Sequence, residues 1–179
     1  MTMELGRARV GIAGFPALLL DASLINRSDL LLAEQHAGRE QMSLADAVVA
    51  LGLVQEETCY AKLAEAGGFE MVDLAHTVSS ELAVRLVPER IARRYFLVPL
   101  QVDNRTLTYA TSQPFNAEAE RDVAFASGRR TRLVTATRSA VLDALDRCYP
   151  KLRELDILAA RLRSQQAVVE NVDQGDGTK

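Results

Sequence analysis

Apolar residues in the first third of the chain recur at helical spacing. Phe15, Leu18, Leu19 and Ala22 stand at i, i+3, i+4 and i+7, one face of a helix. Asn26 or Ser28 can cap a second helix, in which Leu30, Leu31, Ala33 and Ala37 follow and Gly38 marks the end. Ser43 caps a third, with Asp46 in its first turn, a stripe of Leu44, Ala47, Val48 and Leu51, and Gly52 as its stop. A fourth runs from Gln55 to Ala66 through Tyr60, Leu63 and Ala64 and closes at Gly67 and Gly68. These helices form a tandem repeat. Leu24-Ile25 and Leu53-Val54 recur 29 residues apart, and Phe15 aligns with Leu44, Leu19 with Val48, Leu20 with Val49 and Asp29 with Thr58. One helical hairpin cannot bury its apolar face alone; two packed together can.

From residue 69 the rhythm changes. Phe69 to Val72 reads as a short strand, and Ser79 or Ser80 caps a helix carrying Leu82, Val84, Leu86 and Val87. Pro88 starts another helix that ends at Tyr95, since proline favours the first helical position. Phe96 to Val102 reads as a strand, Asp103-Asn104 as a turn, and Thr106 to Thr111 as the return strand, with Leu107 and Tyr109 on one face. Asn116 caps a helix over Ala117 to Ala126, ended by Gly128. Arg129 to Thr135 alternates as a third strand, and Thr137 caps a last helix through Val141, Leu142, Leu145 and Tyr149. The order helix, strand, strand, helix, strand, helix predicts a small sheet with helices packed on it.

The fold expected is therefore α+β: a helical bundle of two hairpins at residues 13–67, then a small α/β sandwich with a roughly three-stranded sheet at 68–150. Residues 1–12 are expected to be an N-terminal arm, and residues 151–179 a helix (Leu152, Leu155, Leu158, Ala159, Leu162) and a disordered polar tail. The short connection at Gly67-Gly68 favours contact between the two halves.

Composition narrows the function. Hydrophobic residues make up 48% and charged residues 25% of the 179 residues, which excludes a largely disordered chain. The longest apolar run, Phe15 to Leu20, is far short of the roughly 20 residues that span a bilayer, so no membrane insertion is expected. A net charge of −3 gives no basic field to hold nucleic acid. Cys59 and Cys148 lie far apart with no CxxC, which reads as two reduced thiols in a cytoplasmic protein. There is no GxxxxGK[ST] phosphate loop, GxSxG or HExxH, and His36 and His76 stand alone. No catalytic constellation can be assembled, and neither an enzyme nor a cofactor or metal is expected.

Two arginine clusters remain. Arg90, Arg93 and Arg94 share one short helix, and Arg129, Arg130 and Arg132 sit at a strand start. The guanidinium fork suits carboxylates and phosphates. Glu118, Glu120 and Asp122 are close enough in sequence to neutralise such clusters. Of the two, the helix of Arg90, Arg93 and Arg94 is the candidate partner-binding patch.

Val72-Asp73-Leu74 and the run from Leu86 to Tyr95 (Leu-Val-Pro-Glu-Arg-Ile-Ala-Arg-Arg-Tyr), then Leu97-Val98-Pro99-Leu100, Leu107-Thr108-Tyr109-Ala110, Gln113-Pro114-Phe115-Asn116, Phe125-Ala126-Ser127-Gly128 and Ala144 to Tyr149, carry a resemblance. In that order, residues 69–149 resemble the N-terminal domain of the secretion ATPases: general secretory pathway protein E of type II secretion and the type IV pilus assembly ATPase. The helical repeat resembles the segment that precedes this domain in the same proteins. In some relatives that segment binds cyclic di-GMP through two copies of RLGxxLxxxGxxxxxxLxxxLxxQ. Here the arginine positions hold Gly14 and Ser43, the following glycine positions Pro16 and Ala45, and the later glycine is Ser23 in the first copy and Gly52 in the second. The apolar framework is kept and the ligand-specific positions are lost.

The resemblance implies a non-enzymatic docking or regulatory module of a type II secretion or type IV pilus machine. Its partners would be the secretion ATPase and the cytoplasmic domain of an inner-membrane platform protein. Its place would be cytoplasmic, peripheral to the inner membrane through that partner. The family's ATPase half, with its Walker motifs, is not part of this sequence. The alternatives are a cyclic di-GMP sensor, using the positions Gly14, Pro16, Ser43, Ala45 and Gly52, or a regulatory domain of another enzyme such as a glycosyltransferase.

Overall fold

In the computed structural model, residues 14–150 are described; the expected N-terminal arm and the expected C-terminal helix and tail lie outside them. Helix α1 covers residues 14–21 and is followed by α2 (Arg27–Glu40), α3 (Leu44–Ala50) and α4 (Glu56–Gly67). The repeat seen in sequence is repeated in geometry. Ser23 N–H donates to Leu20 O at 2.9 Å and Leu24 N–H to Leu19 O at 3.0 Å; 29 residues on, Gly52 N–H donates to Val49 O at 2.9 Å and Leu53 N–H to Val48 O at 3.1 Å. Both helices thus stop with the same pair of backbone bonds around one left-handed residue. That residue is Gly52 (φ +67°) in the second copy and Ser23 (φ +54°) in the first. Serine takes the strained conformation at a cost of roughly 1–2 kcal/mol, which shows how strongly the surrounding turn dictates the chain path.

Repeat partners meet in one core. Leu19 and Val48 are fully buried, Ile25 and Val54 nearly so, and Phe15, Ala45, Cys59, Tyr60 and Leu63 join them. Asn26 closes α2 with a capping box: its Oδ1 accepts from Asp29 N–H at 2.9 Å and Asp29 Oδ2 accepts from Asn26 N–H at 3.2 Å. Two expectations for α2 need correction. The helix runs through Gly38, which stays helical in open space, and stops only at Gln41 (φ +53°). Its buried face centres on Ala33, with Leu30 and Ala37 partly covered, whereas Leu31 is exposed because it lies a third of a turn off that line.

The second half follows the expected order: α5 (Glu81–Leu86), α6 (Glu89–Arg94), β1 (Leu97–Val102), β2 (Thr106–Thr111), α7 (Ala117–Ser127), β3 (Arg130–Thr135) and α8 (Arg138–Cys148). The sheet is three-stranded, ordered β1-β2-β3, with β1 antiparallel and β3 parallel to β2. A bulge between Pro99 and Gln101 interrupts the β1–β2 register. Asp103 makes the hairpin turn by accepting the backbone N–H groups of Arg105 and Thr106, both at 2.7 Å. The crossover from β2 to β3 is α7, capped by Asn116 and stopped by Gly128 at φ +63°.

Two strand limits differ from the sequence reading. Phe96 is not in β1, because its φ of +48° is left-handed and takes the residue out of the ladder. The short strand at 69–72 shrinks to one bridge, Met71 against Thr135. Gly67, at the join between the halves, is required by packing. A Cβ there would collide with the Phe69 ring and press on Phe115, and those two rings stack tilted at 5.5 Å. By contacts, the described residues up to Cys148 form one compact unit.

Candidate functional site

The two halves meet at a polar seam built from side chains near helix ends. Asp46, in the first turn of α3, has a side chain only 6% exposed. Its Oδ1 accepts from the Tyr60 hydroxyl at 2.6 Å and its Oδ2 from Arg138 Nη1 at 3.0 Å. Arg138 begins α8, and its guanidinium lies 4.0 Å over the ring of Phe96. Next to it, Glu56 of α4 accepts from Ser139 N–H at 2.9 Å and from Ser139 Oγ at 2.6 Å. A carboxylate from the bundle thus caps the N-terminus of a helix in the other half, where free N–H groups and the helix dipole favour negative charge.

Burial first, then Asp46, holds the Tyr60 phenol far above its ordinary range, so it stays a donor. Burial, with Asp46 and Glu56 adding, pushes the Cys59 thiol up to about 12. Its Sγ lies 3.6 Å from Ala45 O, and the group is a packing residue rather than a nucleophile. The strained residue Phe96 sits at the same seam. Its carbonyl accepts from Thr111 Oγ1 at 3.0 Å and Ser112 N–H at 3.3 Å, which fixes it from the sheet side while Arg138 covers its ring.

A cleft of about 400 Å³ opens beside this seam. Phe15, Ser43, Leu44, Ala45 and Leu63 line it from the bundle, and the β2–α7 connection from Ser112 to Asn116 lines it from the sheet half. Of the degenerate ligand positions, Ser43 and Ala45 reach this cleft, whereas Gly14 and Pro16, the sequence neighbours of Phe15, are not among its lining residues. Gly52 does not line it; its role is the left-handed helix stop. Ser43 is already engaged, its Oγ accepting from Asp46 N–H at 3.1 Å. The Ser112 Oγ is buried without a hydrogen-bond partner, a feature nothing in the sequence signalled.

The arginine helix α6 is largely satisfied from within. Arg93 pairs with Glu89 at 2.7 Å and Asp146 at 3.0 Å, and Arg94 with Glu118 at 3.0 Å. Arg94 also lies 4.9 Å over the Tyr95 ring. The Tyr95 hydroxyl donates to Asp122 at 2.7 Å, and burial with that bond pushes the phenol up to about 12. Arg90 is exposed and has no carboxylate partner among the described residues. In the second cluster, Arg129 holds Asn104 O at 2.7 Å and Arg132 pairs with Glu70 at 3.0 Å. Among the described residues there is no group of His, Cys, Asp and Glu that could hold a metal ion. No helix among them is long and apolar enough to cross a membrane.

A repeat bundle seamed to a three-stranded mixed sheet defines the class: an N-terminal domain of the secretion and pilus ATPases. Residues 67–155 match the MshEN domain, and that part of the chain belongs to the MshEN family. Among curated relatives it is 24% identical over 132 residues to the type IV pilus assembly ATPase PilB of Myxococcus xanthus (strain DK1622), covering 74% of this chain and 23% of the relative. It is 24% identical over 140 residues to PilB of Pseudomonas aeruginosa PAO1, covering 78% of this chain and 25% of that protein. The chain thus spans about a quarter of the length of the curated relatives it matches. Among solved structures, the N-terminal domain of XpsE matches with a TM-score of 0.64 and 26% identity, over 78% of this chain and 94% of that one. MshE with cdg shares the fold at a TM-score of 0.65 and 24% identity, over 75% of this chain and 98% of that one.

Proposed function

We propose that this chain is a non-enzymatic docking and regulatory module of a type II secretion or type IV pilus machine. It links an assembly ATPase to the cytoplasmic domain of an inner-membrane platform protein and lies at the membrane through that partner. The observation that carries this reading is the MshEN domain at residues 67–155, in a chain whose buried ionisable groups Asp46, Cys59 and Tyr60 serve packing and internal pairing. The seam supports it. A bundle held to the sheet by Asp46 and Glu56 moves with the sheet half, as a module that transmits a position between two partners requires. The test is affinity capture of the tagged chain from lysate of its source organism with mass spectrometry. The same chain is then titrated with the purified cytoplasmic domain of the platform protein encoded beside the machine. Recovery and direct binding are expected; absence of both refutes the linkage.

A second reading, a cyclic di-GMP sensor, is favoured by the cleft that Ser43 and Ala45 share with Phe15, together with the shared fold of MshE with cdg. Neither repeat offers an arginine there, since Gly14 and Ser43 stand at those positions. Calorimetry at micromolar ligand separates the readings, because a binding heat saturating in that range supports the sensor.

A further inference from the structure

The two edges of the sheet are unequal. On the β1 edge, Pro99 has no N–H to offer and Ser80 N–H already donates to Leu100 O at 2.7 Å. The opposite edge is the short segment Glu70 to Val72 alongside β3. Thr135 N–H donates to Glu70 O at 2.7 Å and Val72 N–H to Thr135 O at 2.9 Å. Alternation along a strand then turns the N–H and C=O of Met71 away from β3. Among the described residues neither group takes a backbone partner, and the Met71 side chain is 38% exposed.

Beside this edge lies a cleft of about 550 Å³, bounded by residues 71–75, by Glu57 of α4 and by Ser139, Asp143 and Arg147 of α8. Three carboxylates line it: Glu57, Asp73 and Asp143. Asp73 faces the His76 ring at 2.6 Å, and that bond first, then the Ala75 N–H, holds its carboxyl below the ordinary range. Arg147, the cation of the cleft, has its guanidinium at Leu74 O, 2.8 Å away. Glu57 and Asp143 are exposed and pair with no cation among the described residues.

We propose that this edge docks a basic, extended segment of a partner protein. The segment adds as a strand beside Met71 and sets its lysine or arginine side chains against Glu57 and Asp143. Main-chain bonds to an open edge supply affinity, and charged pockets beside it supply register. The negative lining disfavours nucleic acid and anionic lipid at the same place. This inference rests on the docking reading and names the surface for it.

The probe is a fluorescein-labelled nonapeptide of alternating lysine and valine, titrated into the full chain beside its glutamate counterpart. The lysine peptide is expected to bind, and the Met71 amide to exchange more slowly with solvent when it does. Glu57→Gln with Asp143→Asn, both at exposed positions, is expected to weaken binding roughly three- to tenfold without moving the melting temperature. Any one of three results overturns the proposal: no preference for lysine over glutamate, an unchanged affinity in the double variant, or an unchanged Met71 exchange rate. Titrating the platform domain with the same double variant keeps the two ideas apart. Undiminished binding removes this edge and leaves the docking reading, whereas peptide binding without platform binding does the reverse.

Discussion

Replacing Asp46 by alanine removes the acceptor shared by Tyr60 and Arg138. The Tyr60 hydroxyl is buried and loses its bond, so it carries an unsatisfied donor worth about 1–3 kcal/mol. Arg138, whose side chain is 33% exposed, can turn toward water, so its share is screened to about 1 kcal/mol or less. Loss of an acidic residue from the first turn of α3 adds a few tenths of a kcal/mol, and relief of the desolvated carboxylate returns part of the total. The net is about 2–3 kcal/mol. For a domain of this size that lowers the melting temperature by roughly 6–12 °C. The assay is thermal unfolding followed by circular dichroism, completed by a double-mutant cycle with Tyr60→Phe. A coupling energy of about 1 kcal/mol or more is expected between the two positions. A melting temperature within 2 °C of wild type, or a coupling near zero, would show that the seam is not held through Asp46.

Further outcomes follow from the same geometry. Gly38→Ala should stabilise by about 0.5–1 kcal/mol, because the position is helical, exposed and open, whereas Gly67→Ala should destabilise by about 1–3 kcal/mol against Phe69; urea unfolding reads both signs. Cys59 should resist a thiol reagent at pH 8 in the native state, with full reaction only after unfolding. Its thiol is neutral in the folded protein up to about pH 12 but ionises near 9 when unfolded, so the folded state holds the extra proton between those values. Stability should therefore fall as pH rises from about 9, by at most about 1.4 kcal/mol per pH unit from this group, and Cys59→Ala should flatten the curve in a pH series of urea melts. If α6 contributes to docking, Arg90→Glu should slow association with the platform domain and weaken its salt dependence, measured by stopped-flow, since Arg93 and Arg94 are already paired.

Local signals were legible where one short-range rule decides the structure. The 29-residue repeat, the Asn26 and Ser43 caps, the Asp103 turn and the order of the sheet half were all in the sequence because each rests on side-chain period or backbone chemistry within a few residues. The misses are cases where another contact, local or distant, overrules such a rule. Gly38 looked like a helix stop, but backbone bonds to Ala37 O carry α2 to Gln41. Phe96 looked like the start of a strand, but Arg138 on its ring and Thr111 on its carbonyl hold it left-handed. The seam was unreadable for the same reason, since Asp46 and Arg138 are 92 residues apart and Glu56 and Ser139 are 83 apart. The arginine patch was legible as charge, yet its pairing with Asp146 depends on where α8 returns.

The ligand positions and the seam also share one short helix. Ser43 reaches the cleft and its hydroxyl caps Asp46 N–H, while the Asp46 carboxylate, in that same first turn, holds Tyr60 and Arg138. From Arg138 the chain of contacts passes over Phe96 to the Ser112 amide, and Ser112 lines the cleft from its other side. Cleft and seam are therefore joined by one chain of contacts that starts and ends on the cleft lining. A change at Ser43 reaches the sheet half through a single helical turn. This explains how the bundle keeps its geometry when Gly14, Pro16 and Ser23 depart from the repeat motif. The left-handed turn at Ser23 and the burial of Phe15 and Leu19 preserve the apolar frame, and the Asp46–Arg138 and Glu56–Ser139 contacts preserve its attachment to the sheet. The attachment of bundle to sheet rests on Asp46, Glu56, Arg138 and Ser139 and needs no arginine at position 14 or 43.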